Sequence, residues 1–134
     1  MQHSLSSLGI SRRQLAAILG LLAMVGPFAI DSIFPAFHVL AQDLQVEDAA
    51  IQQAISIYLL GFALMSLLHG ALSDAYGRKP VIVAGLLLFL GASVGCALSA
   101  SLPQLLLFRF IQGLSAGVGL IVGRAVIRDV YDGN

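Results

Sequence analysis

The chain has 134 residues, of which 58% are hydrophobic and 10% charged, and its formal net charge is zero. A water-soluble domain commonly carries about a quarter charged residues, so this composition excludes a self-contained soluble fold, and the balanced charge removes the basic footprint of a nucleic-acid binder. A mean hydropathy of +0.93 and the confinement of charges to short segments mark an integral membrane protein instead.

Residues 1–14 are expected to be a cytoplasmic N-terminal tail. An apolar run of about 20 residues crosses the hydrocarbon core as a helix, because backbone groups in lipid must be satisfied internally. Four such spans are predicted within 15–126, at about 15–39, 54–72, 81–102 and 104–123, and 127–134 is expected to be a loop that stops short. Arg12 and Arg13 precede the first span, Arg78 and Lys79 separate the second and third, and Arg124 and Arg128 follow the fourth. The other two connections hold no Lys or Arg, so the positive-inside rule places both termini in the cytoplasm. Ser11-Arg12-Arg13 before an apolar run also looks like an export signal, but Asp31 interrupts that run and its length exceeds a signal core.

The spans carry their own packing and chemical signals. Gly91-x-x-x-Gly95, Gly113-x-x-x-Gly117 and Gly119-x-x-x-Gly123 provide small-residue faces for helix contact, within one chain or across a homodimer seam. Cys96 stands alone and packs as a small apolar residue. Between spans two and three lies Gly70-Ala71-Leu72-Ser73-Asp74-Ala75-Tyr76-Gly77-Arg78-Lys79-Pro80. Gly70 is expected to allow close helix contact and Gly77 to take a positive φ in a tight reversal. Pro80 suits the first turn of the next helix, and Arg78 and Lys79 anchor the loop at an anionic leaflet. Asp74, a carboxylate on the basic side, needs a cationic or helix-terminal partner.

That segment resembles the loop signature of the major facilitator superfamily, agreeing at Gly70, Leu72, Ser73, Asp74, Gly77, Arg78 and Lys79, and departing at Ala75, where the family usually has arginine. Asp31-Ser32-Ile33-Phe34-Pro35-Ala36-Phe37 is similar to the first-helix signature of proton-coupled drug exporters of the Bcr/CflA type. Arg109-Phe110-Ile111-Gln112-Gly113 and Arg124-Ala125-Val126-Ile127-Arg128-Asp129 resemble that group's fourth helix and following loop. The resemblance implies the N-terminal part of an all-α bundle in a bacterial inner membrane, exchanging protons for amphipathic drugs with the proton gradient as its energy source and no cofactor. It implies further that Asp74 bridges to the other half of the molecule, a latch that Ala75 weakens. Bicyclomycin, sulfonamides and chloramphenicol-like compounds are the substrate classes it suggests.

Two charges lie inside spans. Counted at about 1.5 Å per residue, Asp31 is about 24 Å from the inner face and Arg109 about 8 Å from the outer end of its helix, so in a core of about 30 Å both fall in the outer third. Charges at such depth pair or line a watery cavity. Asp31 and Arg109 are therefore expected to face one cavity and interact, with Gln112 on the same helix face as Arg109. Asp31 is the candidate proton carrier, with a fixed structural pair as the plainer alternative. Pro27 and Pro35 suit a bend around the cavity. His69 is expected at the interface, His3 and His38 stand apart and imply no metal, and nothing points to an enzyme. The resembling transporters have about twelve spans in three-helix repeats. Four spans make a fragment that is inactive alone, or a partial transporter completed by a second polypeptide. A small four-helix dimeric exporter and a scaffold without transport are the remaining readings.

Overall fold

The computed structural model describes residues 11–131, which form six α-helices and one short 3-10 turn, with no strand among the described residues. Helix α1 spans Arg12–Asp31. The Ser11 hydroxyl accepts from the Gln14 amide at 3.2 Å while Ser11 N–H donates to Gln14 Oε1 at 2.8 Å, a reciprocal cap that starts the helix inside the expected tail. The rest of that tail, residues 1–10, lies outside the described residues. Pro27 stays within α1. The break falls later, where Phe34–Ala36 form the 3-10 turn with Pro35 near its start.

Two short helices follow, α2 at Phe37–Asp43 and α3 at Asp48–Ile51. The long helices are α4 at Gln53–Tyr76, α5 at Arg78–Ala97 and α6 at Leu102–Tyr131. Four stretches are long and apolar enough to cross a membrane: Arg12–Asp43, Asp48–Tyr76, Arg78–Ala97 and Leu102–Val130. All four predicted spans are therefore present, but their ends move. The third was expected to reach Leu102, whereas α5 stops at Ala97. Ser99 Oγ donates to the Gly95 carbonyl and Gln104 Oε1 accepts from Ala100 N–H, so capping ends the helix although Leu98 prolongs the apolar run. The fourth was expected to give way to loop at 127, whereas α6 continues to Tyr131. Arg124 and Arg128 end the apolar run without ending the hydrogen-bond ladder, and 132–134 lie outside the described residues.

Helix α6 is the centre of the bundle, packing against α1, α4 and α5, while α4 and α5 touch only lightly. From Gln112 to Gly119 every residue except Leu114 is buried. By contrast α5 buries only Ala92, and Leu67 is 82% exposed and Leu98 77%. Large apolar side chains turned outward around a core of small residues suit a lipid surround, where tails solvate leucine as well as protein does.

The glycines divide accordingly. A Cβ on Gly113 would collide with the Tyr58 backbone carbonyl, one on Gly119 with the Leu22 carbonyl, and one on Gly95 with the Phe108 ring; Gly117 seats His69. Gly91 and Gly70, both expected at contacts, have nothing within 4 Å, and Gly123 has only loose contact with Leu19 at 3.9 Å. Gly91 is exposed on the outer side of α5, and Gly70 lines a cleft opposite Ile121 and Arg124 of α6 instead of touching that helix. Unpredicted close approaches occur at Gly61, beneath the Phe110 carbonyl of α6, and at Gly85, against Val118.

Candidate functional site

Two charged constellations stand out, one at the α4–α5 turn and one inside the bundle. At the turn, Gly77 has φ 95° and ψ 154°, a conformation in which a Cβ is strained. The reversal brings Arg78 back over the end of α4. Its Nη1 lies 2.6 Å from Asp74 Oδ1, and its Nε donates to Asp129 Oδ2 at 3.1 Å. Arg78 also donates to Ser73 Oγ, whose hydroxyl donates in turn to the Gly70 carbonyl at 2.9 Å. One guanidinium thus joins α4, α5 and α6 through two carboxylates, a geometry that its planar fork of donors serves well. Asp74 has the cationic partner it needed. Asp129 is the partner that sequence reading left without a role, since only three-dimensional contact brings it beside Arg78. Lys79 is exposed. Arg124 and Arg128 line the adjoining cleft of about 320 Å³ together with Asp74 and Arg78.

Because both acids are partly open to solvent, Asp129→Asn is expected to lower bundle stability by only about 1 kcal/mol, and by less in high salt. Denaturation in mixed micelles at two ionic strengths measures it, and a salt-independent loss would contradict the assignment.

Inside the bundle, Arg109 on α6 is 6% exposed. Its Nη1 donates to the Ala29 carbonyl at 3.0 Å and to Gln112 Oε1 at 2.8 Å. The guanidinium carbon sits 5.8 Å from the centre of the Tyr58 ring, whose hydroxyl donates to the Gly26 carbonyl at 2.9 Å. Gln112 Nε2 passes the network on to Ser93 Oγ of α5 at 2.8 Å. Gln112, Ser93, Ala29, Ser32, Met24 and Phe28 help line a cavity of about 450 Å³ between α1, α5 and α6.

The expected pairing of Asp31 with Arg109 is not formed. Asp31 is exposed, lies outside that cavity lining and makes no ion pair among the described residues. The reason is rotational. Ala29 faces α6, and two residues further along a helix is a turn of about 200°, so the Asp31 carboxylate points away. Arg109 is compensated instead by the carbonyl end of α1. Ala29 is in the last turn, where Ile33 N–H reaches back to Ile30 and leaves the Ala29 oxygen to Arg109 and Ser32 Oγ. A cation at a helix C-terminus is stabilised by the helix dipole. Gln112 does share the face of Arg109, as its spacing required.

The histidines also depart from expectation. His38 bonds Gln42 at 3.0 Å and Asp48 at 3.4 Å, so it is not isolated. His69 is 3% exposed within the bundle rather than at the interface. His3 lies outside the described residues.

The family model of the Major Facilitator Superfamily matches residues 16–134. The chain belongs to the major facilitator superfamily. Among its relatives, an uncharacterized major facilitator-type transporter, YdgK of Bacillus subtilis, is 38% identical over 125 residues, covering 93% of this chain and 31% of the relative. Multidrug resistance protein D of Escherichia coli is 36% identical over 118 residues, 88% of this chain and 30% of the relative. Multidrug resistance protein MdtL of Escherichia coli is 39% identical over 111 residues, 83% of this chain and 28% of the relative. The chain therefore spans under a third of the length of these curated relatives. No solved structure matches it at a significant level. Superfamily membership makes the four apolar stretches membrane spans of a multi-pass protein.

Proposed function

We propose that this chain is the N-terminal portion of a proton-coupled multidrug exporter of the Bcr/CflA type, set in a bacterial inner membrane with both termini cytoplasmic and inactive by itself. The observation that carries the reading is the buried Arg109 beside a cavity of about 450 Å³, tied to the end of α1 and to Gln112. The names of two relatives, both multidrug resistance proteins, support export of amphipathic drugs, and a chiefly apolar cavity with a few polar groups is the form that binds such molecules.

In this reading Asp31 carries the proton. It is the last residue of α1, two positions beyond the carbonyl that Arg109 holds. Neutralising its carboxylate changes the charge at that helix end by one unit. Movement of α1 against α6 then competes with the Arg109–Ala29 bond. Arg109 acts as the contact through which protonation and helix position are linked, and Gln112 extends that link to α5 through Ser93. The Arg78 network with Asp74, Asp129, Ser73 and the Gly70 carbonyl, set by the Gly77 turn, steadies the opposite end.

The test uses inside-out vesicles acidified by respiration and a dye that reports the pH gradient. The chain joined to the remaining spans of multidrug resistance protein D is expected to collapse the gradient when ethidium is added, and the chain alone is not. Asp31→Asn in the joined protein is expected to abolish the response. A response from the chain alone would refute its inactivity, and an undiminished Asp31→Asn response would refute the proton carrier.

A further inference from the structure

A second cavity, of about 380 Å³, lies between α4, α5 and α6 at the end of the bundle that carries the Gly77 turn. Met65, Leu72, Val81, Gly85 and Leu114 make its wall apolar, and Tyr76 and Pro80 stand at the turn. It is separate from the Arg109 cavity, with which it shares no lining residue. Two polar side chains lie in its interior wall. Ser115 donates to the carbonyls of Ile111 and Gln112, so its hydrogen is committed to its own helix. His69 is not committed: although 97% buried by its 3% exposure, its imidazole makes no hydrogen bond among the described residues, and Nδ1 is sealed without a partner.

That arrangement is costly as mere packing. A buried polar group without a partner forfeits its hydration, and an apolar ring of similar size would fill the space without that loss. The bundle nevertheless makes room for this ring, since a Cβ on Gly117 would stand 3.1 Å from Nδ1. Nδ1 is turned toward Gly117, so the one N–H that a neutral imidazole can offer to the cavity is at Nε2, the ring nitrogen that is not sealed. The lipid tails around an apolar wall bring no acceptor to meet it. A molecule arriving from the bilayer with one carbonyl or ether oxygen would satisfy the donor and fill the cavity, whose size falls within the range of small-molecule sites, about 300–1,000 Å³.

We propose that the α4–α5–α6 cavity binds a small lipophilic molecule carrying a hydrogen-bond acceptor, and that His69 is the residue that recognises it. The site requires the membrane bundle alone and does not depend on proton-coupled export, so it stands or falls separately from that reading.

The test is photolabelling of the full chain in lipid nanodiscs with benzophenone, a two-ring ketone that reacts preferentially at methionine. Met65 lines this cavity, whereas Met24 lines the other, so mapped adducts separate the two. Saturable labelling of Met65 is expected. Dibenzyl ketone should compete about tenfold better than 1,3-diphenylpropane, a hydrocarbon of the same shape, which is the size of one neutral hydrogen bond. His69→Phe should erase that preference and His69→Gln should retain it. Non-saturable labelling of Met65, meaning simple partition into the bilayer, would overturn the proposal. Equal competition by ketone and hydrocarbon in the unaltered chain would also overturn it, whether or not either variant folds. So would a ketone preference that survives His69→Phe.

Discussion

Gly113→Val is expected to destabilise the bundle by about 3 kcal/mol, the upper part of the range for overpacking a close contact. The added Cβ would meet the carbonyl of Tyr58, which is backbone in the second turn of α4. A side chain could rotate aside, but a helix can only be pushed away. Separating α4 from α6 would also pull the Tyr58 ring from beneath Arg109 and its hydroxyl from Gly26. The matched control is Gly91→Val, where nothing lies within 4 Å and the expected change stays within about 0.5 kcal/mol. Loss of helical signal against the mole fraction of sodium dodecyl sulfate in mixed micelles measures both. Equal losses at the two positions would mean that valine in a helix, rather than the α4–α6 contact, sets the cost.

The second large effect divides stability from function. Arg109→Met should raise bundle stability by about 1 kcal/mol or more while eliminating drug-driven proton movement in the joined exporter. Among the described residues the guanidinium has no carboxylate partner, and its buried Nε makes no hydrogen bond. Burying a charge costs several kcal/mol, and replacing buried ionic groups by apolar ones of similar volume is often stabilising. The bonds to Ala29 and Gln112 offset part of that cost, and Ser32 Oγ still reaches the Ala29 carbonyl when Arg109 is gone. Buried charges that cost stability concentrate at functional sites, and this one stands beside a cavity. The same micelle titration and the vesicle dye measure the two sides. A stability loss above about 2 kcal/mol would make Arg109 a net structural group, and retained proton movement would remove it from the coupling.

The sequence made the spans legible because length and hydropathy are local quantities, and it made Gly77 legible because a turn between two adjacent helices leaves few choices. Helix ends were less legible. Leu98 and Arg124 mislead in opposite directions, since apolarity outlasts α5 whereas the helix outlasts the apolar part of α6. Asp31 shows a deeper limit. Its depth along the helix can be counted from sequence, but its direction depends on which side of α1 meets α6. That side is chosen by Gly119 against Leu22 and Ala116 against Gly26, contacts between segments far apart in the chain. The partner of Arg109 is a backbone carbonyl, which carries no residue signature at all. His69 resembled an end-of-span residue by position and became buried because Gly117 opened space for it.

The central place of α6 also dictates an order of events during synthesis. The helix that contacts each of α1, α4 and α5 is the last of the four long helices to leave the ribosome, and α4 and α5 touch little without it. Until then the first three spans have only slender contacts with one another, chiefly Tyr58 against Gly26 and the light touch of α4 on α5. Through that interval Tyr58 and Ser93 sit on helices that have not yet met Arg109 or Gln112. Arrival of α6 closes its surfaces with α1, α4 and α5 together, so the bundle gains most of its interhelical packing late, with the last span.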